Sequence, residues 1–377
     1  MPAASPRVLI WLLPCPLVLA TACGDGGEAS TNSTSTTDDD GGDPPTTGSA
    51  CGGDVIDAPP GQWTWVPVEG ARCGRGSPTG MAINPGGDRL LIYMLFGGAC
   101  STAEECAPDC DPQAQRCALH LDGFDETTFK DTLGLFGAGS IFDREDPGNP
   151  YRDHSFAFIP YCTGDFHSGD REAEYGISHV GYRNMGLYLE RLVPSFCGAT
   201  DVVLVGSSAG GFGAVFNYDR VREAFAPRRV DLVDDAGPPL GPEWMPIQTQ
   251  MRAAWGSDLT APAGCPACAS RWDAFLPYLG ATAPEARLAL ISSLADTSIG
   301  PFFGGPIALP ADYTAAMNEY ADLTLGPVDR VEVFYLDEPH HVYLVDDLAQ
   351  TGPPAVSLQT WLTQMHSDDP AWASVRP

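Results

Sequence analysis

The sequence predicts a single α/β domain with a doubly wound, mostly parallel sheet and helices on both faces, and three observations support this fold class. Short runs rich in Val, Ile, Leu and Phe alternate with segments of helical spacing from about residue 55 onwards. The apolar runs are continuous, as is typical of parallel strands buried on both faces. The chain has 377 residues, 44% of them hydrophobic, which is enough for a sizeable core, and no linker divides the region.

The individual elements follow from these patterns. Six apolar runs are predicted to be buried strands: Leu90–Phe96, Phe156–Pro160, Val202–Val205, Val230–Val233, Leu288–Ile291 and Val331–Tyr335. Four segments have helical spacing: His179–Leu192, Ala209–Phe225, Ala311–Leu323 and Leu358–His366. Two segments rich in Pro and Gly, Gly237–Glu243 and Gly300–Pro310, are predicted to be long loops over the carboxyl edge of the sheet, where such folds bind ligands.

The first 22 residues have the pattern of a secretory signal sequence. Arg7 precedes the apolar run Val8–Ala20, which is too short to span a membrane. The stretch Leu19-Ala20-Thr21-Ala22-Cys23 is typical of a bacterial lipoprotein processing site, which would make Cys23 the lipidated first residue of the mature chain. A plain signal peptide cut near Ala22 is the alternative. We therefore expect an exported protein, either secreted or held at the outer membrane or cell envelope by a lipid anchor.

Residues 23–50 are rich in Gly, Ser, Thr and Asp and lack the apolar side chains that offset the entropy of ordering. They are predicted to be a disordered tether. The remaining residues, 51–377, are predicted to form the single globular domain.

The cysteines indicate disulfide bonds. Apart from Cys15 and Cys23, ten of the twelve lie between Cys51 and Cys268, and an even number in an exported chain favours disulfides. Zinc sites are the alternative for the group from Cys100 to Cys117 and for the pair in Cys265-Pro266-Ala267-Cys268, but neither has paired metal-finger spacing with histidines close by. We expect no metal and no cofactor.

The charge balance excludes one class of partner. The formal net charge is −29, and Lys130 is the single lysine among the 20 basic residues. Nucleic-acid-binding proteins need a basic surface that neutralises phosphates. We therefore expect no nucleic-acid partner.

The most informative motif is an apolar strand that runs into Gly206-Ser207-Ser208-Ala209-Gly210 and then into a helical pattern. Small residues beside a serine allow a strand to turn sharply into a helix and to expose the hydroxyl. The Gly-x-Ser-x-Gly spacing makes Ser208, and not Ser207, the candidate nucleophile. A structural glycine-rich turn is the alternative.

A serine nucleophile needs a histidine base and an acid that orients the base, and in folds of this kind the chain order is serine, acid, histidine. Asp296 follows a later strand and is the favoured acid, with Asp235 as the alternative. Their structural alternatives are a helix N-cap for Asp296 and a turn-closing or substrate-binding acid for Asp235. His340 and His341 follow the last strand, where a base would be presented, and only one of the two can face the serine. His366 is expected at the surface.

Ester hydrolysis also needs amide donors for the oxyanion. The first predicted strand runs into Gly97-Gly98-Ala99-Cys100, where glycine lets backbone amides approach a substrate, and the amide of Ala209 could complete the hole. A strand-ending turn is the alternative. With the nucleophile motif, this loop favours an α/β-hydrolase-like fold.

These segments resemble one family, the pectin acetylesterases and Notum carboxylesterases, from about residue 60 to about residue 350. The resemblance rests on four motifs, on Asp296 and on the region around His341. The motifs are Gly97-Gly98-Ala99-Cys100, Tyr161-Cys162-Thr163-Gly164-Asp165-Phe166-His167-Ser168-Gly169, Gly206-Ser207-Ser208-Ala209-Gly210-Gly211 and Asp235-Ala236-Gly237.

The resemblance implies an α/β-hydrolase fold with several disulfides and a catalytic triad of Ser208, Asp296 and His341. His341 is preferred to His340 because His341-Val342-Tyr343-Leu344 is similar to the family pattern. By the same resemblance, the oxyanion donors would be the backbone amides of Gly98, Ala99 and Ala209.

The chain also departs from the family. Tryptophan is common where Ala99 stands, and Phe166-His167 replaces other residues. His167 is a rival candidate for the base, but it precedes Ser208, which the expected chain order opposes.

We therefore expect a serine carboxylic-ester hydrolase that removes acetyl groups from an extracellular polysaccharide, pectin-like or other, by an acyl-enzyme mechanism. Pectin itself is a polyanion, which a chain of this acidity would repel unless the site is locally basic or calcium intervenes. One alternative is a carboxylesterase for longer, lipid-type acyl chains. The other is a surface lipoprotein that binds without turnover.

Overall fold

The structure, a computed structural model, describes residues 52–111, 116–353 and 355–377. The predicted signal sequence (1–22), the candidate lipidation residue Cys23 and the predicted tether (23–50) lie outside the described residues. The strands are β1 Thr64–Arg72, β2 Pro78–Asn84, β3 Leu90–Met94, β4 Ser155–Ile159, β5 Arg171–Glu172, β6 Ser178–His179, β7 Val202–Ser207, β8 Val230–Asp235, β9 Leu288–Ser293, β10 Val331–Leu336, β11 Thr351–Gly352 and β12 Val356–Ser357. The α-helices are α1 Glu126–Leu133, α2 Gly181–Ser195, α3 Ala209–Phe225, α4 Gln248–Trp255, α5 Phe275–Thr282, α6 Ile299–Phe303, α7 Pro310–Glu319 and α8 Leu358–His366.

Eight strands form a central sheet in the order β1-β2-β4-β3-β7-β8-β9-β10. The six strands from β4 to β10 in this order run parallel, whereas β2 pairs antiparallel with β4 and β1 pairs antiparallel with β2. Each of the six predicted strands overlaps one of the parallel strands, so the mostly parallel α/β fold is confirmed. The antiparallel edge was not predicted, because β1 is only partly buried and contains Pro67 and Gly70.

The parallel strands are buried, as their continuous apolar composition predicts. Every residue of β3, β4, β7, β8 and β9 is buried, and helices cover the sheet. α3 contacts β3, β7 and β8 and also packs against α2 and α5. α8 packs on β10, where the ring centroids of Trp361 and Phe334 are 5.3 Å apart. All parallel strands therefore end at one edge of the sheet, where the loops carry the chemistry described below.

Three of the predicted helices correspond to α2, α3 and α8. The fourth prediction, Ala311–Leu323, spans α7 and the π-helical turn Tyr320–Leu325 that continues it. The prediction of a loop over Gly300–Pro310 was wrong in part. This segment contains most of α6 and the 3-10 turn Gly305–Ile307, because Asp296 supplies the amide-binding oxygen that starts the short helix.

The predicted disulfides are confirmed, and those between described cysteines are Cys73–Cys162, Cys100–Cys106, Cys110–Cys117 and Cys265–Cys268. The first joins the residue after β1 to the loop after β4, 89 residues away. His179 lies near the sulfurs of Cys100 and Cys106, but both cysteines are oxidised and offer no thiolate for a metal. Within the described ranges, no helix is both long enough and apolar enough to cross a membrane.

Candidate active site

Ser208 lies at the sharp turn between β7 and α3. Its backbone has φ 54° and ψ −118°, a conformation that a residue with a side chain adopts at a cost, and the side chain is partly exposed. A Cβ atom on Gly206 would overlap the carbonyl of Gly210, and one on Gly210 would overlap the carbonyl of Met94 at the end of β3. The two glycines of the motif are therefore required by close backbone packing around the turn.

His341 joins Ser208 to Asp296. Its Nε2 lies 2.8 Å from Ser208 Oγ, and its Nδ1 lies 2.8 Å from Asp296 Oδ2. When the carboxylate of Asp296 accepts, Nδ1 carries the proton and donates a hydrogen bond to it. Nε2 is then free to accept the hydrogen bond of the serine hydroxyl. The sequence placed these three residues in three separate loops, and the structure brings them together.

Asp296 contacts both the start of α6 and the imidazole of His341. It is only 2% exposed. Its Oδ1 accepts hydrogen bonds from the amides of Ser298, at 2.7 Å, and Ile299, at 2.9 Å, at the start of α6. Its Oδ2 faces His341. The start of the helix thus fixes the carboxylate through one oxygen, and the other oxygen contacts the imidazole.

The environment of His341 raises its pKa above the ordinary value of 6.5. Burial acts in the opposite direction and lowers the pKa of the imidazole. The charge of Asp296, the hydrogen bond to Asp296 and the charge of Asp235 together outweigh burial. The site therefore stabilises the imidazolium form, which is the form that a base acquires when it removes a proton.

His340, the other candidate base, points away from Ser208. Its Nε2 lies 3.3 Å from Asp346 Oδ2, and its ring packs on that of Tyr343 with centroids 4.8 Å apart. The structure therefore places only one of the two adjacent histidines at the serine.

Asp235, the alternative acid, lies at the end of β8 and contacts the backbone of the histidine loop. Its carboxylate accepts hydrogen bonds from the amides of Tyr343, at 3.0 Å, and Leu344, at 3.1 Å, and from Ser207 Oγ, at 2.8 Å. Its own carbonyl accepts from the amide of Ser208 at 2.7 Å. Asp235 thus links the turn that carries the serine to the loop that carries the histidine, a role that sequence reasoning missed. The sequence feature that could have indicated this role is the position of Asp235 at the end of the strand that follows the nucleophile motif.

Burial raises the pKa of Asp235 to about 6, although the hydrogen bonds from Leu344, Ser207 and Tyr343 favour the ionised form. The neighbouring Asp234 differs. Its Oδ1 accepts only the amide of Gly237, and burial raises its pKa well above the usual range. Two adjacent buried carboxyl groups therefore have different environments, and only Asp235 contacts the histidine loop.

The glycine loop after β3 leaves the sheet beside the serine turn, because Met94 is in register with Gly206 in the adjacent parallel strand. Gly98 has φ 68°, and its carbonyl accepts a hydrogen bond of 2.9 Å from the hydroxyl of Tyr161. The same hydroxyl accepts from the amide of Phe166. Tyr161, in the resemblance motif but assigned no role by it, thus fixes the orientation of the Gly98 peptide group.

The three candidate oxyanion residues occupy different positions around the serine. Gly98 and Ala99 follow β3, and Ala99 is fully buried. Ala209 is the first residue of α3, where the amide has no acceptor one turn earlier in its helix.

His167, the rival base, is a buried structural residue. Its Nε2 bonds to the carbonyl of Leu95 at 2.9 Å, and burial lowers its pKa to about 4. Beside it, the ring of Phe166 stacks on that of Phe212 with centroids 4.5 Å apart. The Phe166-His167 departure from the family pattern therefore contributes to packing beneath the nucleophile turn.

Comparison with known proteins identifies the family. The pectinacetylesterase family model matches residues 64–260, slightly more than half of the chain and including the glycine loop, the serine turn and Asp235. The chain belongs to the pectinacetylesterase family. The name of this family indicates carboxylic-ester hydrolysis.

The similar curated proteins are palmitoleoyl-protein carboxylesterases named Notum. The human protein is 31% identical over 160 residues, which cover 40% of this chain and 30% of the human protein. The Schmidtea mediterranea protein is 29% identical over 158 residues, which cover 40% of this chain and 28% of that protein. The matched part thus spans less than a third of these relatives.

The fold is also similar to a solved structure, the Wnt deacylase Notum from Drosophila, with a TM-score of 0.59. The match covers 83% of this chain and 95% of that chain at 18% sequence identity. This likeness supports the hydrolase fold predicted from the sequence.

The linking role of Asp235 predicts the effect of Asp235→Asn. The amide would present a donor to the backbone amides of Tyr343 and Leu344, so the histidine loop should shift. A displacement of about 1 Å costs about 100-fold in rate, and we expect kcat to fall by that order with little change in KM. The matched control is Asp234→Asn, which keeps an acceptor for Gly237 and should retain activity. Steady-state kinetics of folded variants tests this, and equal loss of kcat in the two variants would contradict it.

Proposed function

We propose that Ser208 is the nucleophile, His341 the general base and Asp296 the acid that orients the base in an acyl-enzyme mechanism. The observation that carries this proposal is the continuous pair of 2.8 Å contacts from Ser208 Oγ through the imidazole to Asp296 Oδ2. The partly exposed hydroxyl leaves room for a substrate carbonyl to approach.

In this mechanism Ser208 Oγ attacks the ester carbonyl while His341 Nε2 takes the hydroxyl proton. The tetrahedral intermediate collapses, and the imidazolium donates the proton to the departing alcohol oxygen. Water then repeats the sequence against the acyl-enzyme, which releases the carboxylic acid and regenerates the serine. The raised pKa of His341 favours the imidazolium present in both transition states.

The amides of Gly98, Ala99 and Ala209 are the proposed oxyanion donors. Support comes from the helix N-terminus at Ala209 and from Tyr161, which holds the carbonyl of Gly98 and so fixes the peptide group between Gly98 and Ala99. Fixed donors need no reorganisation when charge develops on the substrate oxygen.

The proposed substrate is an acetyl ester of an extracellular polysaccharide, in agreement with the name of the family. The net charge of −29 favours a neutral or weakly charged glycan over de-esterified pectin. A second candidate is a longer acyl chain, because the Notum relatives are palmitoleoyl-protein carboxylesterases.

We further propose export through a signal peptide (1–22), lipidation at Cys23 and a tether (23–50) that presents the domain 51–377 at the cell envelope. The disulfides support an oxidising compartment. Secretion after cleavage near Ala22 is the alternative.

Nitrophenyl esters of increasing chain length test the chemistry and the acyl preference together. Ser208→Ala should lower kcat by about 10⁴-fold or more, and His341→Gln should also cause a large loss, whereas His340→Gln should stay close to the wild type. Wild-type activity should be highest with acetate. Full activity of Ser208→Ala would exclude the proposed nucleophile, and a maximum at long chains would select the second substrate class.

The raised pKa of His341 predicts the acid limb of the pH profile. Protonated imidazole cannot accept the serine proton, so kcat/KM should fall as pH decreases, with a midpoint above 6.5. Asp296→Asn removes the charge that raises the pKa, so the midpoint should move to lower pH while the plateau falls by about 10⁴-fold. A midpoint that is unchanged in Asp296→Asn would show that a different group titrates, and Asp235 would be the first to consider.

Lipidation predicts that Cys23→Ala changes where the protein is found. In a bacterial host that processes lipoproteins, the wild type should incorporate labelled fatty acid and fractionate with membranes, and Cys23→Ala should do neither. Equal labelling of both proteins, or none of either, would exclude lipidation at Cys23.

A further inference from the structure

A second cluster of ionisable side chains lies at the amino edge of the sheet, opposite the serine turn. His154 immediately precedes β4, Asp201 immediately precedes β7, and His366 is the last residue of α8. The register pairs Leu90 of β3 with the first residues of both neighbouring strands, so Arg89 lies between His154 and Asp201.

The three side chains converge. One nitrogen of His154, one nitrogen of His366 and one carboxylate oxygen of Asp201 all lie within 4.8 Å of one another. The two imidazole rings have centroids 4.8 Å apart. The sequence predicted His366 to be a surface residue, but it is partly buried, because α8 ends over this edge of the sheet.

His154 supplies an independent observation. It is only 2% exposed, and among the described residues neither of its ring nitrogens makes a hydrogen bond of normal geometry, although the backbone of Tyr151 interacts weakly with the ring. Leaving a buried polar group without a good partner is unfavourable, so native proteins rarely retain one without a role. Metal coordination would satisfy one nitrogen.

We propose that His154, Asp201 and His366 bind a divalent transition-metal ion, with Zn²⁺ the best match. Two imidazoles and one carboxylate form a donor set that zinc uses in proteins, and solvent can complete the coordination because Asp201 and His366 are partly exposed. The ion joins the starts of two strands to the C-terminal helix. The site lies at the edge opposite Ser208 and does not depend on the proposed function.

Arg89 competes with the metal for the same atoms. Its guanidinium donates to His366 Nε2, which shows that the lone pair of this nitrogen faces the cluster, and its Nε lies 3.3 Å from Asp201 Oδ2. Asp201 Oδ2 also accepts from Thr200 Oγ1 at 3.1 Å. The Arg89 side chain is 45% exposed and can move into solvent when a cation binds.

The test is titration of the untagged, chelator-treated full chain with Zn²⁺ by calorimetry, together with thermal denaturation with and without Zn²⁺. We expect one saturable site and a higher Tm with zinc. Asp201→Asn and His366→Gln should lose both effects. His340→Gln is the control and should keep both effects, because His340 pairs with Asp346 outside the cluster. A loss of zinc binding in this variant would indicate adventitious binding at an ordinary histidine–carboxylate pair.

Arg89→Gln distinguishes coordination from a general loss of structure. Removing the competing cation should make Zn²⁺ bind severalfold more tightly than in the wild type, whereas simple disruption of the edge would weaken binding. The proposal is overturned if the wild type shows no saturable site, if Asp201→Asn and His366→Gln bind as well as the wild type, or if Arg89→Gln binds more weakly.

Discussion

The geometry of the candidate active site depends on the hydrogen bonds of the buried Asp235 carboxylate. It binds Ser207 on the serine turn and the amides of Tyr343 and Leu344 beyond the histidine, while its own carbonyl holds the amide of Ser208. Two loops that are 133 residues apart in sequence are thereby fixed to the end of one strand. These donors favour the ionised form of Asp235, in opposition to the burial that raises its pKa to about 6.

Contacts on both sides hold the strained backbone of Ser208 in place. The parallel register brings the end of β3 against the start of α3, where only glycine fits at position 210. Asp296 is fixed in a comparable way, because it accepts hydrogen bonds from the amides of Ser298 and Ile299 at the start of α6 and contacts His341 with its other oxygen. Ser208 and Asp296 are thus held by backbone groups and the loop of His341 by the Asp235 carboxylate, so little reorganisation is needed when the proton moves.

The parallel core could be predicted from sequence because continuous apolar strands and the serine motif are local signals. The antiparallel edge could not, since β1 is half-buried and interrupted by Pro67 and Gly70. Within the site, motif position selected Ser208 and chain order favoured Asp296, but the choice of His341 over His340 came from the family resemblance; the structure brings these three residues together.

The supporting contacts are harder to find from sequence. The role of Tyr161 depends on its hydroxyl reaching Gly98, 63 residues away, and the cluster around His154 depends on the register of three strands and the end of α8. Such contacts become visible only when the fold places distant residues side by side.

The most direct measurement of the central claim is mapping of the residue modified by a fluorophosphonate, which reacts covalently with activated serines. Peptide mass spectrometry of the inactivated protein should find one modification, on Ser208, with loss of esterase activity in proportion to labelling. Modification of Ser207 or another serine, or complete labelling of Ser208 without loss of activity, would contradict the account.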